Sequence, residues 1–275
     1  MLLSNDQISA FQQLIYAFYK EHGRSFAWRV HHDSYRVVVS EIMLQQTQTY
    51  RVEPKFEQFI TTFGSFAELA NADMRDLFCV WQGLGYNRRA KALHAIAQQV
   101  MHEYDGVLPE SVELLQTLPG IGYATASSIC AFAFNMPTVF IETNIRAVFI
   151  HTFFANNSEA ISDKTLLPLI EQTLDRTQPR QWYYALMDYG VYLKKEHKNP
   201  ARRSAHYTKQ SRFEGSDRQI RGAIIRQLAN NGAVSRQDLV VVINDDAPRV
   251  ERILDQLIAE GMIQQTSDQC VMIGG

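Results

Sequence analysis

Apolar residues recur through the first 190 positions at intervals of three and four, the period at which an α-helix turns one face inward. Ile8, Phe11, Leu14, Ile15 and Phe18 form one such stripe, and Leu93, Ile96, Ala97 and Val100 form another. Gly or Pro interrupts the pattern at "EHGRSFAWR", "TTFGSFAEL", "GLGYNRR", "DGVLPES", "LPGIGYA" and "FNMPT", where one helix should stop before the next begins. The pattern predicts roughly nine or ten short helices and an all-α region. Between Lys194 and Arg221 the period fails, and nine Lys or Arg stand against three acids; residues 195–215 are expected to be a basic linker. Three more helices are predicted near 217–230, 236–243 and 248–260, the second opened by Ser235 with Asp238 three residues on. "MIQQTSDQCVMI" then reads as two short strands around a turn. Three helices and a hairpin suggest a winged helix over 216–275, behind a helical domain spanning 1–194.

Composition narrows the class. A chain of 275 residues with 46% hydrophobic positions can bury a substantial core and divide into unequal domains. Its apolar runs stop short of the roughly 18 residues that a membrane span requires, and the N-terminus lacks the pattern of a signal peptide. No membrane partner and a cytoplasmic location are expected, nucleoid-associated in a bacterium. Cys79, Cys130 and Cys270 lie far apart without metal-ligand spacing, so reduced thiols are expected and no metal site. The net charge of −2 does not itself point to nucleic acid.

Four stretches carry candidate chemistry. "VVVSEIMLQQTQTYRV" sets Glu41 among Val39, Ile42, Met43 and Leu44, followed by Gln45, Gln46 and Gln48; a carboxyl in that setting is poorly solvated, which favours its protonated form. A structural carboxylate bonded to backbone N–H groups is the alternative. In "LPGIGYATASSI", Leu118 precedes Gly120 and Gly122, which permit a tight turn aiming backbone N–H groups outward at a helix start, a geometry suited to a phosphate oxygen as well as to a plain connection. Tyr123 follows, able to stack on a nucleotide or simply to be exposed. "GLGYNRRAKAL" offers Tyr86, Arg88 and Arg89 as a second phosphate clamp or as a solvated basic face. "FNMPTVFIETNIRAV" ends an apolar run on Glu142, with Asn144 and Arg146 close behind.

These segments, together with "FAWR", "LANADMRDLFCVWQGLGYNRRAKALH" and "WYYALMDYG", resemble in order and spacing the helix-hairpin-helix DNA glycosylases, and within them the adenine glycosylases of the MutY type, over roughly residues 7–194. The resemblance implies two helical lobes with a cleft into which a target base is flipped, at a cost of a few kcal/mol. It implies that Glu41 protonates the adenine leaving group, that the glutamine-rich turn contacts or wedges the opened duplex, and that Glu142 stabilises the cationic sugar. The partner implied is double-stranded DNA with a mismatched or damaged base, adenine opposite 8-oxoguanine or guanine foremost, bound by a monomer.

The chain departs from the family pattern in four places. Glu142 stands where the family has aspartate, keeping the charge but lengthening its reach. Ala124 stands where endonuclease III relatives carry a Schiff-base lysine, so no imine can form there and no lyase activity is expected. The four cysteines that hold an iron–sulfur cluster in most MutY-type enzymes are missing after "MDYGVYLKK", so no cofactor is expected. Lys194, Lys195, Arg202 and Arg203 lie in that region and are expected to supply phosphate contacts instead. Finally, residues 216–275 are too short and too helical for the family's 8-oxoguanine-sensing domain. Rival readings are a mismatch uracil or thymine glycosylase and a non-catalytic lesion-binding protein.

Overall fold

The computed structural model describes residues 1–157, 159–266 and 269–275. In chain order the helices are α1 (Asn5–His22), α2 (Ala27–Val30), α3 (Ser34–Leu44), α4 (Thr49–Thr62), α5 (Phe66–Ala70), α6 (Met74–Trp81) and α7 (Arg88–Glu103). There follow α8 (Val112–Leu115), α9 (Tyr123–Phe134), α10 (Thr143–Phe153), α11 (Asp163–Thr173), α12 (Pro179–Glu196) and a 3-10 turn at Pro200–Arg203. The C-terminal part holds α13 (Asp217–Asn231), β1 (Val234–Ser235), α14 (Arg236–Ile243), α15 (Ala247–Ala259), β2 (Ile263–Gln265) and β3 (Cys270–Ile273). The chain folds into two units that do not follow sequence order: Met1–Val37, Pro109–Thr117 and Ile121–Lys209 form the first, and Val38–Leu108, Leu118–Gly120 and Gln210–Gly275 the second.

In the first unit α1 opens on a reciprocal cap. Ser4 Oγ accepts from Gln7 N and the Gln7 side chain accepts from Ser4 N, which satisfies two N–H groups that a helix start leaves unpaired. Of the α1 stripe, Phe11 and Ile15 are buried while Leu14 is exposed. Phe11 sits among Phe149, Phe153 and Trp182, with ring centroids 5.4, 5.2 and 5.8 Å away, so α1, α10 and α12 share one aromatic core. Close approach of α10 and α12 depends on Gly190, where a Cβ would lie 2.4 Å from Asn144 O.

In the second unit α5 packs on α7, and α4 and α7 on α6. Leu93, Ile96, Ala97 and Val100 are fully buried, as their spacing predicts. Helices α13, α14 and α15 fall where the periodicity placed them, and Ser235 Oγ accepts from Asp238 N at the start of α14. The expected strands are present, joined by the unanticipated β1, in an antiparallel sheet of order β1-β3-β2 with Val234 opposite Val271 and Ile263 opposite Ile273. Ser267 and Asp268, in the turn expected between β2 and β3, lie outside the described residues. This winged-helix part packs against α6 through α13, and Arg75 of α6 donates to Ala229 O and Asn230 O at the C-terminus of α13.

The linker expected over 195–215 is not one. Helix α12 continues to Glu196, Pro200 and Ala201 are buried, and Ser204 forms a parallel bridge with Ile161. Only at Lys209 does the chain leave the first unit. Nor is 1–194 a single body, since most of α3 and all of α4 to α7 belong with the C-terminal winged helix.

Candidate active site

The second unit carries Glu41. It lies half-buried on α3, with Val38, Val39, Ile42 and Met43 at most 1% exposed around it. Helix α3 ends in the turn that holds Gln45, Gln46 and Gln48; Gln46 takes a left-handed backbone with φ +54°, and Gln46 and Gln48 are exposed. The carbonyls left unpaired by the end of α3 are gathered by one side chain. Arg89 Nη1 donates to Ile42 O, Met43 O and Gln45 O at 2.9, 2.7 and 2.6 Å. Its Nη2 donates to Thr47 Oγ1, Leu84 O and Gly85 O at 3.0, 3.3 and 3.1 Å.

Arg89 is therefore not the phosphate contact that its sequence neighbourhood suggested. It is buried, and burial, with Arg51 adding repulsion, pulls its pKa well below the arginine norm, to about 10. It joins the end of α3 to the loop Gly83, Gly85 and Tyr86, all three at positive φ. Tyr86, at φ +50°, bears a strain of about 1–2 kcal/mol that glycine would not. Its hydroxyl accepts from Arg218 Nη1 at 2.8 Å and from Gln210 Nε2. Arg88 is also engaged: with Arg221 it holds Glu260, and hydrogen bonding from Arg88, then Arg221, brings that carboxyl down to about 2. Arg88 therefore ties α7 to the end of α15, with its side chain still 70% exposed. Leu118, also expected at the DNA, is 2% exposed; its side chain is core, leaving only backbone for a ligand. Gly120 does need glycine, with φ +74° and Ala92 Cβ 3.2 Å from where its Cβ would be.

The first unit carries Glu142, the N-cap of α10. Its Oε1 accepts from Asn144 N and Ile145 N at 2.9 and 3.1 Å, and its Oε2 accepts from Asn144 Nδ2 at 3.1 Å. A carboxylate there is favoured by the helix dipole and by the first-turn N–H groups. The longer reach of glutamate is thus taken up by α10 itself. Asn144 Oδ1 is buried without a partner. Gly122 caps α9 with φ −89°, which any residue adopts, and has open space where a Cβ would be; the turn requires glycine at 120, not at 122. Tyr123 is 55% exposed, its hydroxyl donating to Val139 O.

The basic residues after α12 divide. Lys195 and Arg202 are exposed. Lys194 is half-buried, and burial holds its pKa below the lysine norm, with Glu142 opposing the shift and Arg24 adding to it. Arg203 is not available to DNA: it donates to Phe154 O and Ala155 O at 2.6 and 3.3 Å and to Asn157 O, closing the end of α10. The residues present do not fit an iron–sulfur cluster. After α12 the chain offers Pro200 and Ala201, both buried, and no cysteine; one of three thiols, Cys130, is buried within α9, and among the described residues no group of three His, Cys, Asp or Glu could hold a metal ion.

One constellation was not anticipated. Asp188 on α12 is 3% exposed and accepts from Arg24 N and Nε at 2.8 Å and from Arg29 Nη1 and Nη2 at 2.9 and 3.0 Å. Arg24 and Arg29 line a 500 Å³ cavity with Tyr184 and Arg180, and Arg29 lies over the Tyr184 ring at 4.4 Å. The available signal was an aspartate within the apolar α12 and two arginines around "SFAW", because a buried carboxylate requires cationic partners.

Residues 39–172 match the HhH-GPD superfamily of base excision DNA repair proteins. The chain is 31% identical to an adenine DNA glycosylase of Mycolicibacterium smegmatis, covering 94% of both chains. It is 30% identical to the human adenine DNA glycosylase over 67% of this chain and 36% of that one. Among solved structures it is similar to a thermostable thymine-DNA glycosylase, with TM-score 0.63 and 25% identity over 68% of this chain and 87% of the other.

Proposed function

The chain belongs to the adenine DNA glycosylases of the HhH-GPD superfamily, and from that premise we propose that it releases adenine mispaired with 8-oxoguanine or guanine in duplex DNA. The observation that carries this reading is the likeness to an adenine DNA glycosylase along 94% of both chains. The reaction is hydrolysis of an N-glycosidic bond. Glu41 donates its proton to a ring nitrogen of the flipped adenine, and the C–N bond breaks with its electron pair leaving on the base. Glu142, an anion oriented by Asn144 and Ile145, stabilises the cationic sugar. Water adds to the sugar carbon and loses its proton, leaving an abasic site and free adenine. A purine ring nitrogen suits a carboxylic acid donor, which favours adenine over uracil or thymine.

The test is base release from duplexes bearing A opposite 8-oxoguanine, A:G, U:G, T:G or hypoxanthine, followed by alkaline cleavage at abasic sites. Release from the two adenine duplexes, reduced roughly 10²- to 10⁴-fold in Glu41→Gln with duplex affinity retained, is expected. Release confined to U:G or T:G, or none from any duplex, would overturn the reading.

A further inference from the structure

Within the second unit lies a cleft of 1390 Å³, above the roughly 300–1,000 Å³ of small-molecule sites. It is lined by Gln46, Gln48 and Arg51, by the loop Gly83 to Arg88, by α13 with Gln210 and Phe213 before it, and by the ends of α14 and α15. Five arginines and two acids line it. Glu260 is taken by Arg88 and Arg221, and Asp245 pairs with Arg249. Arg51, Arg218 and Arg226 remain without a carboxylate partner among the described residues, Arg51 donating to Gly83 O and Arg218 to the Tyr86 hydroxyl, Ser211 O and Arg212 O. Like charges crowd here: Arg51 depresses the pKa of Arg89, while Arg89 and Arg218 both lie against the Tyr86 ring, at 5.5 and 5.7 Å. Arginines without a carboxylate partner lining one cleft match a polyanion.

The rest of the winged helix is unsuited to reading a groove. On α15, Arg249 and Arg252 are both paired with Asp217, and Glu251 and Asp255 are paired with Arg236. The cations of α15 are thus held by internal ion pairs.

We propose that the C-terminal winged helix binds the DNA phosphodiester backbone through α13, with Arg218 and Arg226 lining this cleft together with Arg51, and not through α15. The inference rests on the proposed function only in taking duplex DNA as the partner. Each phosphate contact contributes about 0.9 to the slope of log K against log salt. Arg226→Gln, at an exposed residue, should therefore lower the slope by about one and weaken binding of a mismatched duplex severalfold. The double variant with Arg218→Gln should lower it by about two. Lys164→Gln on α11, outside the cleft, should leave both unchanged. With p-benzoylphenylalanine in place of the exposed Phe213, irradiation should cross-link the full chain to the duplex.

Wild-type salt slopes in both variants, or weaker binding without a change of slope, would overturn the inference, as would an absence of cross-link beside normal adenine release. Lost slope and a cross-link in a protein that releases no adenine would leave the cleft assignment standing and remove the proposed reaction.

Discussion

Replacing Arg89 by methionine asks whether this arginine is a DNA contact or the clasp on the end of α3, where Glu41 sits. Methionine keeps much of the aliphatic stem and removes six donated hydrogen bonds, two of them to carbonyls in the last turn of α3 and one to Gln45 O just beyond it. Burying the charge is itself unfavourable: the fall from the ordinary arginine value to about 10 corresponds to roughly 3 kcal/mol. Against this stand bonds from a charged donor, each about 1.5–3 kcal/mol, and the penalty of about 1–3 kcal/mol for each buried carbonyl left unsatisfied. Since the bonds share one guanidinium they do not add, and a net loss of about 2–4 kcal/mol is expected. At about 2–4 °C per kcal/mol for a chain of this size, the thermal midpoint followed by circular dichroism should fall by about 5–10 °C. Single-turnover adenine release should fall more than duplex affinity, because the end of α3 that positions Glu41 is released. A midpoint within about 1 °C of wild type, together with a salt slope reduced by about one, would refute this reasoning and restore Arg89 as a phosphate contact.

Glu142→Gln should abolish most adenine release by removing the charge opposite the developing cation, whereas Glu142→Asp, a competent N-cap, should retain measurable release in the same single-turnover assay. Replacing the exposed Lys195, Lys198 and Arg202 together by glutamine should weaken binding to any duplex and flatten its salt dependence, while Arg203→Gln should instead lower the thermal midpoint. Purified protein should contain no stoichiometric iron on elemental analysis, since three cysteines cannot supply a four-thiolate cluster; one cluster's worth of iron and sulfide would contradict this. Incubation with borohydride should trap no covalent adduct with DNA, because Ala124 offers no amine.

Much of the helical scaffold was legible because its signals are local. The 217–230, 236–243 and 248–260 segments combine an apolar stripe with nearby breaks, and their helices appear within a residue or two of those bounds. Strand β1 was not legible, since two residues become a strand only by pairing with Val271 and Cys270 far along the chain. The division into units was equally hidden, as it depends on which helices meet and not on where composition changes. Arg89 is the instructive error. Beside Arg88 it reads as half of a basic pair, yet neighbours on a helix point about 100° apart. Counting at helical intervals places 89 with Leu93, Ile96 and Val100, the stripe already assigned to the core. The two catalytic candidates were found because a lone carboxylate in an apolar stretch is rare, whereas Asp188 escaped because its arginine partners stand more than 150 positions away.

The packing of α13 on α6 also bears on heredity. A premature stop codon at the start of the last 66 codons, which encode Gln210–Gly275, ahead of α13 at Asp217, would not simply trim an accessory tail. It would uncover α6, strip Arg75 of its acceptors and leave Arg88 without Glu260, unsettling the same body that holds Glu41. Late truncating alleles should therefore behave as loss of the enzyme, and exchanging this C-terminal part for that of a relative should succeed only if α6 and α7 are exchanged with it.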